Sequence, residues 1–275
     1  VVGPSGGRKL FSWNPFSKDA LPKTAVISVS QLTEEPYASV ICYPQATREE
    51  MLPRLEELKT LGVEAVEFSG LIPASALYVL GKGHTGVVAV AHTRGGKLAL
   101  KMLRTDTERE SLENEAALLS MANEVGVGPR FAAATKHFIL MQIISGGTIR
   151  EWIAARPDGK TVKMVIADIL EQCWRLDGIG LDHGELVTAP KHILVDRTDM
   201  PYIVDFETSS TGRYASNVTS VCNFLFLGNS EVRVAVEDII GKRDMTELFR
   251  ALKAYKDNKS RKDFENLLEQ CLAER

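Results

Sequence analysis

The stretch 77–142 alternates short apolar runs with glycine turns, and no other part of the chain restricts the fold as strongly. A first strand leads into Gly81, Lys82, Gly83, His84, Thr85, Gly86, Val87 and Val88; a second closes at Gly95 and Gly96; a third carries Leu98, Ala99, Leu100 and Lys101. Paired glycines between such runs are a hairpin signal. A helix is expected over 107–124, strands over 130–134 and 137–142, and a mostly helical remainder. There Val162, Ile166, Ile169, Cys173 and Leu176 recur about every 3.6 residues and mark a helix with one buried face. The expected fold class is α+β, β-rich first and helical second.

Upstream, 25–29 and 37–43 have the composition of short strands. Leu52, Leu55, Leu58 and Leu61 then fall at near-helical spacing, with Pro53 in the first turn, where its missing N–H does no harm, and Gly62 where a helix cap belongs. Another strand is expected over 63–68. These elements make a small α+β module over 20–72, followed by a β-rich unit over 73–144 and a helical unit over 145–275. Residues 1–19, punctuated by Gly3, Pro4, Gly6, Gly7 and Pro15, read as a flexible tail. Their spacing does not match a phosphate-binding Walker loop.

Composition excludes several classes. With 44% hydrophobic and 25% charged residues in 275, the chain can bury a sizeable core. Its apolar runs, such as 138–141 and 224–227, fall far short of the ~18 residues of a membrane span. Residues 1–17 hold no continuous apolar leader, so the expected compartment is the cytoplasm, with no membrane partner. Cys42, Cys173, Cys222 and Cys271 form no Cys-x-x-Cys pair and read as buried free thiols. A net charge of −3 gives no global attraction to nucleic acid. Between 242 and 262, however, eight bases oppose three acids, and Leu248, Phe249, Leu252 and Tyr255 supply an apolar side. That segment reads as an amphipathic helix whose basic flank could follow a phosphate backbone, solvated lysines being the alternative.

Four short constellations carry chemistry. Gly81, Gly83 and Gly86 let backbone N–H groups approach a polyphosphate, although a glycine turn alone is weak evidence. Lys101 ends an apolar strand, where an ammonium needs anions or must reach water. Glu115 is its better partner, sharing a helical face with Leu112, Leu118 and Leu119, whereas Glu113 lies nearer Arg109 and Ser120. Next come His183, Gly184, Glu185 and Leu186, then Lys191, His192, Ile193, Leu194 and Val195. Finally Tyr202, Ile203 and Val204 deliver Asp205, Phe206 and Glu207. Singly, each reads as an ordinary loop or strand end.

Taken in order, the glycine loop, the Ala-x-Lys strand, the helical glutamate, the His-x-acid-Leu loop and the Asp-Phe-x turn resemble the protein-kinase signature set over 77–227. The run 178–227 is similar to a small archaeal family labelled predicted Ser/Thr kinases. That family resembles the RIO kinases and the kinase of an archaeal tRNA-modification complex, and it includes an RNA kinase acting on a ribose 2′-hydroxyl of tRNA. The resemblance implies a bilobal kinase-like fold, ATP and Mg²⁺ as cofactors, and phosphoryl transfer to a hydroxyl. It implies that Gly81, Lys82, Gly83, His84, Thr85, Gly86, Val88 and Ala99 flank the nucleotide, with Lys101 on its phosphates and Glu115 orienting Lys101. Met141, Gln142 and Ile143 then fall near the adenine, and Asp205 binds the metal.

The departures narrow the family. Glu185 stands where conventional kinases place aspartate, His192 where they place a metal-binding asparagine, and the turn reads Asp-Phe-Glu. Only 206–215 separate Asp205 from the expected helix cap at Ser216 or Asn217, too little chain for a peptide-binding platform. Glu185 is expected to orient or deprotonate the acceptor hydroxyl, with Asp182 as the alternative. His192 binds metal, contacts phosphate or supports the loop, and Lys191 offsets phosphate charge or is simply solvated. The acceptor is then tRNA or another structured RNA. A Ser/Thr protein kinase is the second reading, and a nucleotide-binding scaffold without transfer is the third.

Overall fold

The computed structural model describes residues 24–273; the tail expected over 1–19 lies outside them. The chain opens with β1 (Ala25–Ser28), α1 (Ala38–Ile41), α2 (Arg48–Thr60) and β2 (Val63–Phe68). β3 (Ile72–Ala74) and β4 (Leu77–Val79) pair as a ribbon of their own. There follow β5 (Gly81–Lys82), β6 (Gly86–Thr93), β7 (Gly96–Leu103), α3 (Glu113–Glu124), β8 (Phe131–Ala134) and β9 (Phe138–Met141). One antiparallel sheet collects the strands in the order β1-β2-β6-β7-β9-β8, with β5 beside β6.

β1 and β2, the strands of the N-terminal segment, belong to this sheet: β2 pairs with β6 from Val63 opposite Thr93 to Glu67 opposite Val90. The Arg54 side chain, only 1% exposed, reaches from α2 to donate to the carbonyls of Ile41 at 2.9 Å and Leu103 at 2.7 Å. It thereby ties α2 to the end of β7. Alternation along the strands sends Val87, Ala89, Leu100 and Met102 into one hydrophobic cluster with Phe68, Phe138 and Leu140. The opposite face carries Val88, Ala99, Lys101 and Met141, since Val88 lies across from Lys101 and Ala99 across from Met141.

Two local expectations are overturned. Segment 37–43 is helical at its centre: Ile41 N–H donates to Tyr37 O at 3.1 Å and Cys42 N–H to Ala38 O at 3.0 Å, while Val40 and Ile41 are fully buried. Its β-branched content serves a buried helical turn, because such propensity records packing more than backbone preference. The helix expected from 107 begins at Glu113. Leu112 N–H donates instead to Lys136 O at 2.8 Å, and the Arg109 guanidinium donates to Glu207 O at 2.8 Å, so other partners hold the preceding residues as a loop.

The second part contains β10 (Gly146–Thr148), α4 (Ile149–Ala154), α5 (Gly159–Gly178), β11 (Ile193–Asp196), β12 (Pro201–Ile203), α6 (Asn217–Cys222), α7 (Glu231–Ile240), α8 (Met245–Asn258) and α9 (Arg261–Leu272). Asp158 caps α5 by accepting from the N–H groups of Lys160 and Thr161, both at 3.0 Å. All five residues of the expected α5 stripe are buried in a second hydrophobic cluster. Asp177 at its end accepts from Asn217 N–H at 2.8 Å and Tyr255 Oη–H at 2.8 Å, joining α5 to α6 and α8. β10, β11 and β12 form a small antiparallel sheet beside this body. Among the described residues no helix is long and apolar enough to cross a membrane.

The basic segment 242–262 is not one amphipathic helix. Lys259 takes a left-handed conformation, φ 48°, and separates α8 from α9. Phe249, expected on the apolar side, is 55% exposed, whereas Leu248, Ala251, Leu252 and Tyr255 are buried. Several bases serve the fold: Arg243 donates to the carbonyls of Ile240, Gly241, Cys271 and Ala273, Lys259 to that of Ala215, and Arg261 to Glu171 at 2.7 Å. Local charge in the sequence carries no information about acceptors such as Cys271, Ala215 and Glu171, which lie far along the chain.

Candidate functional site

Lys101 is the centre of the site. Its register on β7 turns the side chain toward α3, where Glu115 stands two residues into the helix on the buried face. Lys101 Nζ donates to Glu115 Oε1 at 2.7 Å and to Asp205 Oδ1 at 2.9 Å, and Glu207 Oε2 lies 3.9 Å away. Burial opposes the ammonium, yet the carboxylates of Glu115 and Asp205 outweigh it and raise the Lys101 pKa. Burial also raises the Glu115 pKa against the pull of Lys101. For Asp205, whose burial acts in the same upward direction, Lys101 wins and the carboxyl is held below its ordinary range.

The glycine loop lies across this cluster. Gly83 N–H donates to Gly86 O at 2.8 Å and closes the turn, and Arg104 braces it by donating to Gly83 O at 2.9 Å. A Cβ at Gly86 would meet Lys101 Cε at 2.9 Å, so any larger residue there would displace the Lys101 side chain. At Gly81 and Gly83 the nearest atoms would stand 3.7 and 3.9 Å away, ordinary contacts, and neither φ is positive. The protein alone therefore does not demand those two glycines. Thr85, buried, donates its hydroxyl to Glu207. Lys82 donates to Pro73 O at 2.7 Å, and His84 is exposed.

β11 and β12 supply the opposite wall. Val204 N–H donates to His192 O at 2.9 Å, which fixes the strand ends from which both His192 and Asp205 project. Asp205 adopts φ 70°, uncommon for a residue with a side chain. His192 Nδ1 lies 3.7 Å from Asp205 Oδ2, and Nε2 lies 3.5 Å from Glu185 Oε2. The ring is 1% exposed, and neither nitrogen has a hydrogen-bond partner. Burial lowers the His192 pKa, leaving the imidazole neutral. Behind it His183 Nε2 contacts Val204 O at 3.0 Å, and burial pushes the His183 pKa down to about 4.

Glu185, His192 and Asp205 offer ligand atoms that all lie within 4.8 Å of one another. A buried imidazole with both nitrogens unmatched beside two carboxylates fits a divalent cation. The other acidic group, Glu115, Asp205 and Glu207, surrounds Lys101 Nζ, which already supplies the compensating charge.

Of the residues singled out in the sequence, Lys101, Glu115, Glu185, His192 and Asp205 converge, with Thr85 and Gly86 directly above them. Val88, Ala99 and Met141 share the sheet face of Lys101, and Gln142 and Ile143 continue from it, Gln142 N–H donating to Arg130 O at 2.9 Å. Lys191 is exposed. Asp182 is engaged elsewhere: its carboxylate accepts from Arg213 Nε–H at 2.9 Å, and its backbone pairs with Ser210. Glu207 and Arg109 were not among the expected site residues. Glu207 was detectable only as the residue closing the Asp-Phe-x turn, and Arg109 had no local signal. No protein-family model and no curated protein matches the chain.

Proposed function

We propose that the chain is an ATP-dependent phosphotransferase of kinase-like bilobal fold, acting on a hydroxyl, with a ribose 2′-hydroxyl of a structured RNA such as tRNA as acceptor. The observation that carries this reading is Lys101 held between Glu115 and Asp205 beneath a glycine loop whose positions 81 and 83 the fold does not itself require. Phosphoryl transfer needs positioning and charge stabilisation more than covalent participation by the protein, and these residues can supply both.

In this reading Gly81 and Gly83 admit the phosphates close to backbone N–H groups. Lys101 neutralises their charge, its position held by Glu115. The face formed by Val88, Ala99 and Met141 receives the base. A divalent ion at Glu185, His192 and Asp205 would neutralise charge that develops on the phosphate oxygens. Glu185, whose side chain is 32% exposed, orients the acceptor hydroxyl or takes its proton. Asp182, committed to Arg213, is the poorer candidate.

The acceptor is favoured by the short connection from Asp205 to α6, which leaves little chain for a peptide platform, and by the sequence resemblance. Incubation of the full chain with labelled ATP and either total tRNA or a protein mixture tests it. Label in RNA supports the reading. Label only in protein replaces the acceptor, and nucleotide binding without transfer to either leaves a scaffold.

A further inference from the structure

We infer that Glu185, His192 and Asp205 form a divalent-cation site selective for a first-row transition metal such as Mn²⁺ over the Mg²⁺ implied by sequence resemblance. The inference rests on the phosphotransfer reading for what the ion does, and on the donor set for where it binds.

The argument begins with the donors left available. Asp205 Oδ1 is held by Lys101 at 2.9 Å, so only Oδ2 faces His192. Glu185 presents Oε2 to the other side of the ring. Two carboxylate oxygens and one imidazole nitrogen are therefore the nearest protein ligands. Mg²⁺ is a hard ion that takes oxygen, demands near-octahedral geometry and gives up water reluctantly. Imidazole suits first-row transition ions rather than Mg²⁺, and Mn²⁺, which shares the oxygen preference of Mg²⁺, still accepts a nitrogen beside two carboxylates more readily than Mg²⁺ does.

His192 has little freedom to withdraw. Its N–H donates to Ala189 O at 3.0 Å, its carbonyl accepts from Val204 at 2.9 Å, and its ring meets His183 edge-on at 5.5 Å between centroids. Both ring nitrogens remain without a hydrogen-bond partner, a condition that coordination through one of them would relieve. The partly exposed Glu185 and Asp205 side chains, each 32% exposed, leave a path for the ion.

The test titrates the full chain with Mn²⁺, with and without a non-hydrolysable ATP analogue, followed by electron paramagnetic resonance. The expected result is a single bound ion with nitrogen hyperfine coupling in the pulsed spectrum, retained in the presence of excess Mg²⁺. His192→Asn, which exchanges the nitrogen donor for an amide oxygen, should lose the nitrogen coupling and shift the preference toward Mg²⁺. Absence of bound Mn²⁺ under both conditions, absence of nitrogen coupling, or displacement by equimolar Mg²⁺ would overturn the assignment. These readouts use the wild-type chain, so the result stands even if the variant fails to fold. Bound Mn²⁺ with nitrogen coupling but no nucleotide binding would sink the phosphotransfer reading and leave the metal site. Transfer supported by Mg²⁺ without any nitrogen coupling would do the reverse.

Discussion

The Thr85 hydroxyl donates to Glu207, fastening the glycine loop to the turn that follows Asp205. Glu207 also lies 3.9 Å from Lys101, so its carboxylate competes with any phosphate for that ammonium. Glu207→Gln keeps an acceptor for Thr85 but removes the charge. Nucleotide affinity should rise about tenfold, or ~1.4 kcal/mol, by titration calorimetry. Glu207→Ala also removes the acceptor, and hydrogen exchange at 83–86 should accelerate. Unchanged affinity in the first variant and unchanged exchange in the second would refute the competition and the strap, respectively.

Gly83→Ala separates a requirement of the fold from one of the ligand. Because the added Cβ has room in the protein, thermal unfolding should shift by no more than ~0.5 kcal/mol. Nucleotide binding should weaken clearly. Equal losses in both would return Gly83 to a purely structural role.

Removing Lys101 leaves three carboxylates facing one another. Lys101→Ala should lose transfer and about 3–5 kcal/mol of stability in urea unfolding. Adding Glu115→Gln should restore part of the stability without restoring transfer, because it removes a buried charge that has lost its partner. A double variant no more stable than Lys101→Ala contradicts this account.

His183 gives the protein an acid-sensitive window. Burial lowers its folded pKa from 6.5 to about 4, so the unfolded chain binds the proton more readily between those values. Stability should fall as pH drops from 6.5 toward 4, by about 3 kcal/mol from this group at the lower end. His192, also lowered by burial, acts with the same sign. In His183→Asn the slope of unfolding free energy against pH over this window should be shallower than in wild type. An identical slope would show that the proton goes elsewhere.

Much of the β-rich part was legible because its signals are local. Arg94 and Gly95 turn between β6 and β7, Gly96 opens β7 with φ 114°, and Gly62 closes α2 with φ 69°. The choice of Glu115 over Glu113 also followed from helix geometry, since one face had to be apolar. Where the reading failed, long-range partners decided. Leucine spacing marked α2 as a helix but not its buried face: Leu52 is 54% exposed, while Arg54 is buried on distant carbonyls. The role of Glu207 was hidden for the same reason, although the residue itself stands in the Asp-Phe-x turn: its contacts to Thr85 and Lys101 span more than a hundred residues of sequence. That Arg243, Lys259 and Arg261 are tied to Cys271, Ala215 and Glu171 was likewise hidden, because those acceptors lie far along the chain.

The pairing of β2 with β6 sets a limit on how this protein can be shortened. A fragment starting at Leu77 would keep the glycine loop, Lys101 and Asp205, yet expose a bare flank of peptide groups along β6 and uncover the apolar side chains beneath α2. Such a flank recruits strands from other molecules. Trimmed versions should therefore self-associate and precipitate, and dissection of the part from Leu77 onward in isolation will need a substitute for that missing border.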